Sequence, residues 1–229
     1  MTTEENGVEP VHLSAALRER MDRLASIPLS STPRPESTTP TRRDLPQGVK
    51  PETTWDQVDQ LLRNLLIDAV HGARRWPVFI FGGTGSGKTS AAACIYRDWR
   101  KSPELLGTAR WWRMENLLSY ILKARFNHEG IVTYLPSGDS VRVTEGGLFA
   151  SFAQADLAVL DDVGAGEQNQ QRTSVLLQLI DSRVGKPMLL TSNMDISEIE
   201  LRYGDRIASR IVDGTIIHAT GEDRRLRGT

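Results

Sequence analysis

The chain has 229 residues and a formal net charge of −1, which suits one domain of ordinary size plus an appendage and excludes a protein that holds nucleic acid by bulk positive charge. Its one cysteine, Cys94, excludes an intrachain disulfide and a cysteine-based zinc site. No segment approaches the ~18 apolar residues of a membrane span, and Met1 to Asn6 lack the basic start and apolar stretch of a signal peptide, so a cytoplasmic protein is expected, with no membrane partner.

Residues 1–27 read as an N-terminal tail. Val11, Ala15, Leu17, Met21, Leu24 and Ile27 fall largely at helical spacing, with Arg18, Glu19, Arg20, Asp22 and Arg23 between them. A helix this short is not stable alone. The segment reads equally as a tethered docking helix and as a tail with weak periodicity. Residues 28–51 set Pro28, Pro33, Pro35, Pro40, Pro46 and Pro51 among Ser and Thr, an extended linker that cannot bury a core. The globular domain is expected over 52–229.

That domain opens with an amphipathic helix over Thr54–Val70. Pro77–Phe81 is a short apolar run of the kind buried as a strand. Gly82-Gly83-Thr84-Gly85-Ser86-Gly87-Lys88-Thr89 follows, and Ser90–Trp99 then forms a helix with Cys94 as a small core residue. Ala109–Arg113 reads as a strand and Glu115–Ala124 as a helix. Ile131–Glu145 reads as a β-hairpin around Pro136-Ser137-Gly138-Asp139, either a partner-touching feature or a decorative insertion. Leu157–Leu160 is a continuous apolar strand ending in Asp161-Asp162. Thr173–Arg183 is a helix, and Pro187–Thr191 is another buried strand, followed by Ser192-Asn193. Alternating strands and helices predict an α/β fold with a parallel central sheet and right-handed crossovers. Its ligand belongs at the carboxyl ends of the strands.

Residues 82–89 match the phosphate-binding pattern G-x-x-x-x-G-K-[ST] in the strand–loop–helix setting it requires. Its glycines let backbone N–H groups turn inward around phosphate oxygens. Lys88 brings a cation to the β- and γ-phosphates, and Thr89 offers a hydroxyl to Mg²⁺. The helix that follows adds the positive end of its dipole. The expected nucleotide contacts are Gly82, Gly83, Thr84, Gly85, Ser86, Gly87, Lys88, Thr89 and Ser90, with ATP or ADP and Mg²⁺ as ligands. Asp161, at its strand end, is expected to hold the Mg²⁺ shell with Thr89. Asp162 is placed to polarise the attacking water. Asn193 is expected to reach toward the γ-phosphate and orient that water.

Taken in order, Gly82–Thr89, Leu157–Gly164, Thr191-Ser192-Asn193-Met194, Gly204-Asp205-Arg206-Ile207-Ala208-Ser209-Arg210-Ile211 and Gly221–Arg225 resemble the AAA+ ATPases of the DnaC/DnaI/IstB group. These are replicative-helicase loaders and ATPase helpers of transposition. The resemblance covers residues 52–229 and implies a P-loop NTPase three-layer sandwich with no separate helical lid domain. It implies Asp161 as the metal-coordinating acid, Asp162 in place of the usual catalytic Glu, and Asn193 as the sensor residue. It implies Arg210 as an arginine finger entering a neighbouring subunit's site, supported by Arg206, and Arg225 as a nucleotide contact within its own subunit. An in-trans arginine would tie hydrolysis to self-association. Ordinary surface salt-bridging is the plainer reading of both arginines. The implied function is an ATPase acting on DNA as a helicase loader. The alternatives are an IstB-type ATPase that binds duplex DNA and regulates a transposase, and a small P-loop metabolite kinase.

Overall fold

The computed structural model describes residues 53–70, 72–101, 108–127, 130–134 and 140–220. The tail, the linker, the hairpin turn at Pro136–Asp139 and Arg225 lie outside them.

Thr54 starts a short 3-10 turn over Trp55–Gln57, and helix α1 spans Gln60–Val70. The single helix expected over Thr54–Val70 is therefore broken. Val58 is extended at φ −100° and ψ 139° and buried. Asp59 takes the N-terminal cap instead, its Oδ1 accepting the Leu61 N–H at 2.9 Å and the Leu62 N–H at 3.2 Å. Strand β1 is Val78–Phe81, and α2, Lys88–Lys101, starts at the phosphate-loop lysine. Strand β2 (Ala109–Arg113) leads into α3 (Met114–Phe126), and β3 (Ile131–Tyr134) pairs antiparallel with β4 (Ser140–Val143), as the hairpin pattern predicted. Helix α4 (Glu145–Ala153) follows, with Thr144 Oγ1 accepting the Gly147 N–H as its cap.

Strand β5 runs Leu157–Val163 and continues through Asp161 and Asp162. Helix α5 (Gln170–Asp181) is capped by Asn169, and β6 is Met188–Ser192. Helix α6 (Ile196–Tyr203) begins in a reciprocal Asp195/Glu198 capping box. Helix α7 (Asp205–Val212) and strand β7 (Thr215–His218) follow.

Five strands form one parallel sheet in the order β2-β5-β6-β1-β7. Both faces are covered, which is why β5 over Leu157–Leu160 and β6 over Met188–Leu190 are continuously apolar rather than alternating. One face carries Phe79, Leu160 and Leu190 against Leu117, Ile121, Leu176, Ile199 and Ile207 of α3, α5, α6 and α7. The other carries Ile80, Val159 and Leu189 against Leu62, Leu66, Cys94 and Trp99 of α1 and α2. The result is a three-layer α/β sandwich. None of its helices, among the described residues, is long and apolar enough to cross a membrane.

Candidate nucleotide-binding site

The carboxyl ends of β1, β5 and β6 converge on one edge of the sheet, and the phosphate loop follows β1 directly. Three of its glycines, Gly82, Gly85 at φ +80° and Gly87, are required by geometry. A Cβ on Gly82 would lie 2.3 Å from the Ala219 carbonyl oxygen just after β7, and Gly87 sits at φ +91°. Lys88 is buried and folds back over the loop. Its Nζ donates to the Gly82 carbonyl at 2.8 Å, to the Gly83 carbonyl at 2.7 Å and to Ser86 Oγ at 3.3 Å. These neutral acceptors hold the ammonium where anionic phosphate oxygens would make stronger bonds. Gly83 and Thr84 are exposed, and Ser90 is half-buried on the first turn of α2.

Thr89 Oγ1 donates to Asp161 Oδ1 at 2.9 Å across 72 residues of sequence. The structure thus brings together the two residues expected to share a cation. Oxygen donors suit a hard divalent ion. Among the described residues no three His, Cys, Asp or Glu side chains gather to hold a metal. A cation here would therefore lean on Thr89, Asp161, phosphate and water. Asp161 is only 3% exposed. Burial raises its carboxyl above the ordinary 3.8, opposed by hydrogen bonds from Thr191 and Thr89 and by the Arg113 charge, and reinforced by Asp162.

Asp161 and Asp162 lie in an irregularity of the sheet. Leu160 pairs with Leu190 and Val163 with Ser192, so two residues of β5 oppose Thr191 alone. Asp162 takes φ 63° there, a conformation rare for any residue but glycine and more accessible to Asp than to most. Thr191 Oγ1 accepts the Asp162 N–H at 3.0 Å and donates to Asp161 Oδ1 at 2.5 Å.

Asn193 is exposed beyond the end of β6. The preceding Ser192 makes the buried contacts, its Oγ donating to the Val163 carbonyl at 2.5 Å and accepting the Met194 N–H at 2.9 Å. Arg206 and Arg210 both lie on α7, away from the loop in sequence. Arg206 is exposed. Arg210 Nε pairs with Asp181 Oδ1, at the end of α5, at 2.8 Å. Two residues of the site carry contacts that motif reading did not assign. Thr191 stood at the head of the Thr191-Ser192-Asn193-Met194 run without a role of its own. Arg113 ends β2 in register with Asp161, and its charge favours that carboxylate. A separate cleft of about 510 Å³, between α3, β3 and the start of α5, shares no lining residue with the phosphate loop.

No protein-family model matches the chain, and no curated protein does. Among solved structures it is similar to a DNA replication initiation factor at 16% identity and a TM-score of 0.59, over 75% of this chain and 50% of that one. Domain III of the Thermotoga maritima replication initiation protein DnaA matches at 21% identity and a TM-score of 0.58, over 78% of this chain and 71% of that one. AMPPCP-bound DnaA from Aquifex aeolicus matches at 16% identity and a TM-score of 0.55, over 71% of this chain and 47% of that one. The chain spans about half the length of the first and last of these. At such identities the likeness is one of fold. The parallel sheet ordered β2-β5-β6-β1-β7, with a phosphate loop between β1 and α2, is thus a three-layer α/β P-loop fold shared with these structures.

Proposed function

We propose that this chain binds ATP with Mg²⁺, hydrolyses it, and acts in DNA replication as a loader of a replicative helicase. The observation that carries the nucleotide half is the 2.9 Å hydrogen bond from Thr89 to Asp161. It joins a phosphate-loop hydroxyl to a buried carboxylate at the point where a nucleotide's cation belongs. When bound, Mg²⁺ supplies charge neutralisation on the transferring phosphoryl group. Gly82 to Ser90 cradle the phosphates, with Lys88 providing the fixed positive charge. Asp162 takes the role of polarising the attacking water, and Asn193 that of orienting it. Arg210, with Arg206 behind it, serves the site of a neighbouring subunit, while Arg225 touches nucleotide from its own. AMPPCP bound to a protein of the same fold supports the ligand class.

The replication half rests on two supports. The motifs from Gly82 to Arg225 resemble those of helicase loaders, and solved structures of like fold include replication initiation proteins. An IstB-type partner to a transposase shares the same motifs. A neighbouring gene for a replicative helicase or for a transposase separates the two readings. A metabolite kinase is disfavoured, because Ser192-Asn193 and the arginines of α7 suit an oligomeric switch.

The test is equilibrium binding of a fluorescent ATP analogue, followed by phosphate release with and without DNA. Wild type should bind and turn over, and Lys88→Ala should lose binding while keeping its fold. Unchanged nucleotide affinity in Lys88→Ala would overturn the assignment.

A further inference from the structure

We propose that Thr191 is a positioning residue that locks the two adjacent carboxylates of β5 into the arrangement a metal-bound nucleotide needs. The inference rests on the nucleotide reading above.

Thr191 is 1% exposed and is the single residue of β6 facing the two-residue irregularity at Asp161-Asp162. Its hydroxyl acts at both carboxylate-bearing positions at once. It donates to Asp161 Oδ1 at 2.5 Å and accepts the Asp162 backbone N–H at 3.0 Å. The first bond fixes the Asp161 side chain. The second fixes the backbone of Asp162 in its left-handed conformation, and so the direction in which that carboxylate leaves the strand. Irregularities of this kind beside sites commonly re-aim a side chain.

Thr89 donates to the same Asp161 oxygen at 2.9 Å. Thr89 is itself an expected cation ligand, however, so Thr191 is the donor that serves the carboxylate alone. Partners of this sort, behind the ligands themselves, orient a ligand and set its basicity. An apolar residue of equal size would fill the space and leave both bonds unmade.

The test measures AMPPCP affinity with Mg²⁺ and with EDTA, for wild type, Thr191→Val and Thr191→Ser, beside thermal melts of each. Thr191→Val should keep the EDTA affinity, because the phosphate loop is untouched. Its Mg²⁺-dependent gain should fall roughly 10- to 100-fold. Thr191→Ser, which retains the hydroxyl, should restore the gain. If Thr191→Val does not fold, Thr191→Ala takes its place with the same expectation.

A folded Thr191→Val that keeps the full Mg²⁺ gain would overturn the assignment and leave the nucleotide reading standing. So would failure of Thr191→Ser to restore it. A wild-type protein that binds AMPPCP with no Mg²⁺ gain would remove Asp161 as a metal ligand and the inference with it. A wild type that binds no AMPPCP under either condition would overturn the nucleotide reading itself.

Discussion

At the scale of single residues the site works against the stability of the domain. Asp161 is a buried carboxylate whose folded form holds its proton more tightly than the unfolded chain does, chiefly through burial. The sign follows from linkage. The stabilising contribution is fully present below the ordinary value of 3.8. It is lost as pH rises from there through the raised folded value. Asp161→Asn keeps an oxygen acceptor for Thr89 and Thr191 and removes the buried charge. Without nucleotide at pH 7 it should be the more stable protein, with the higher Tm. That advantage should shrink as pH falls toward 4. With Mg²⁺ and ATP the order should reverse, because only the wild type gains a cation. Scanning calorimetry across pH reads all of these, and an Asp161→Asn protein less stable at pH 7 would refute the account.

Asp162→Asn separates binding from chemistry at the next position. Size is retained and charge is lost, so ATP affinity should persist while turnover drops by about 10²-fold or more. Turnover equal to wild type at saturating ATP would move the water-polarising role elsewhere. Lys88, Thr89 and Asp161 were legible in the sequence because each belongs to a short local pattern that chemistry constrains. Thr191 was not legible as a partner of both acids. Its role depends on a register shift between two strands, and no local pattern encodes register.

Among the elements, those with strong patterns were read correctly from sequence: the apolar strands β1, β5 and β6 and the helices α2, α3 and α5. Helix α4 was hidden because Gly146 and Gly147 in its first turn argue against a helix; the Thr144 cap and the burial of Phe152 compensate. Strand β7 is four residues long with only Ile217 buried within it, too short to declare a period. Helix α5 was expected to run to Arg183, but it ends at Asp181, and Arg183 has a different task. Arg183 is 1% exposed. It donates to the Ala153 carbonyl at the end of α4 at 3.2 Å, and to the Ala155 and Pro187 carbonyls before β5 and β6.

Burial lowers the Arg183 pKa to about 10, so it remains a cation at neutral pH. It therefore ties together the starts of the two strands whose far ends carry Asp161 and Thr191. Arg183→Met should cost roughly 3 kcal/mol, because the carbonyls it serves lose a charged donor. That corresponds to ~6–12 °C in Tm for a domain of this size. Arg183→Lys should also destabilise, since an ammonium lacks the fork that reaches several carbonyls at once. A melting temperature within a degree or so of wild type for Arg183→Met would show that the staple is dispensable.

For the whole molecule the question is whether one chain is a complete catalyst. Arg210 is the residue proposed to act in a neighbour's site, yet within its own chain it already pairs with Asp181. The pair is about 40% exposed on both sides, and an ion pair so open to water contributes little and is readily exchanged. Asp181 thus competes weakly for Arg210 and does not commit it. One outcome separates a finger from a surface salt bridge. Mixing Arg210→Ala, intact in its phosphate loop, with Lys88→Ala, intact in its arginines, should restore activity that neither variant has alone. Some mixed interfaces then combine a working loop with a working arginine. Asp181→Asn, which frees the guanidinium, should leave assembled activity unchanged or higher. An active Arg210→Ala protein, or no rescue despite demonstrated co-assembly, would reduce the residue to structure. If assembly forms on DNA, the gain in rate that DNA confers should fade as salt rises, because phosphate contacts release counterions on binding. With a net charge of −1, one chain has no bulk attraction for DNA, so that salt dependence should strengthen with the number of subunits bound together.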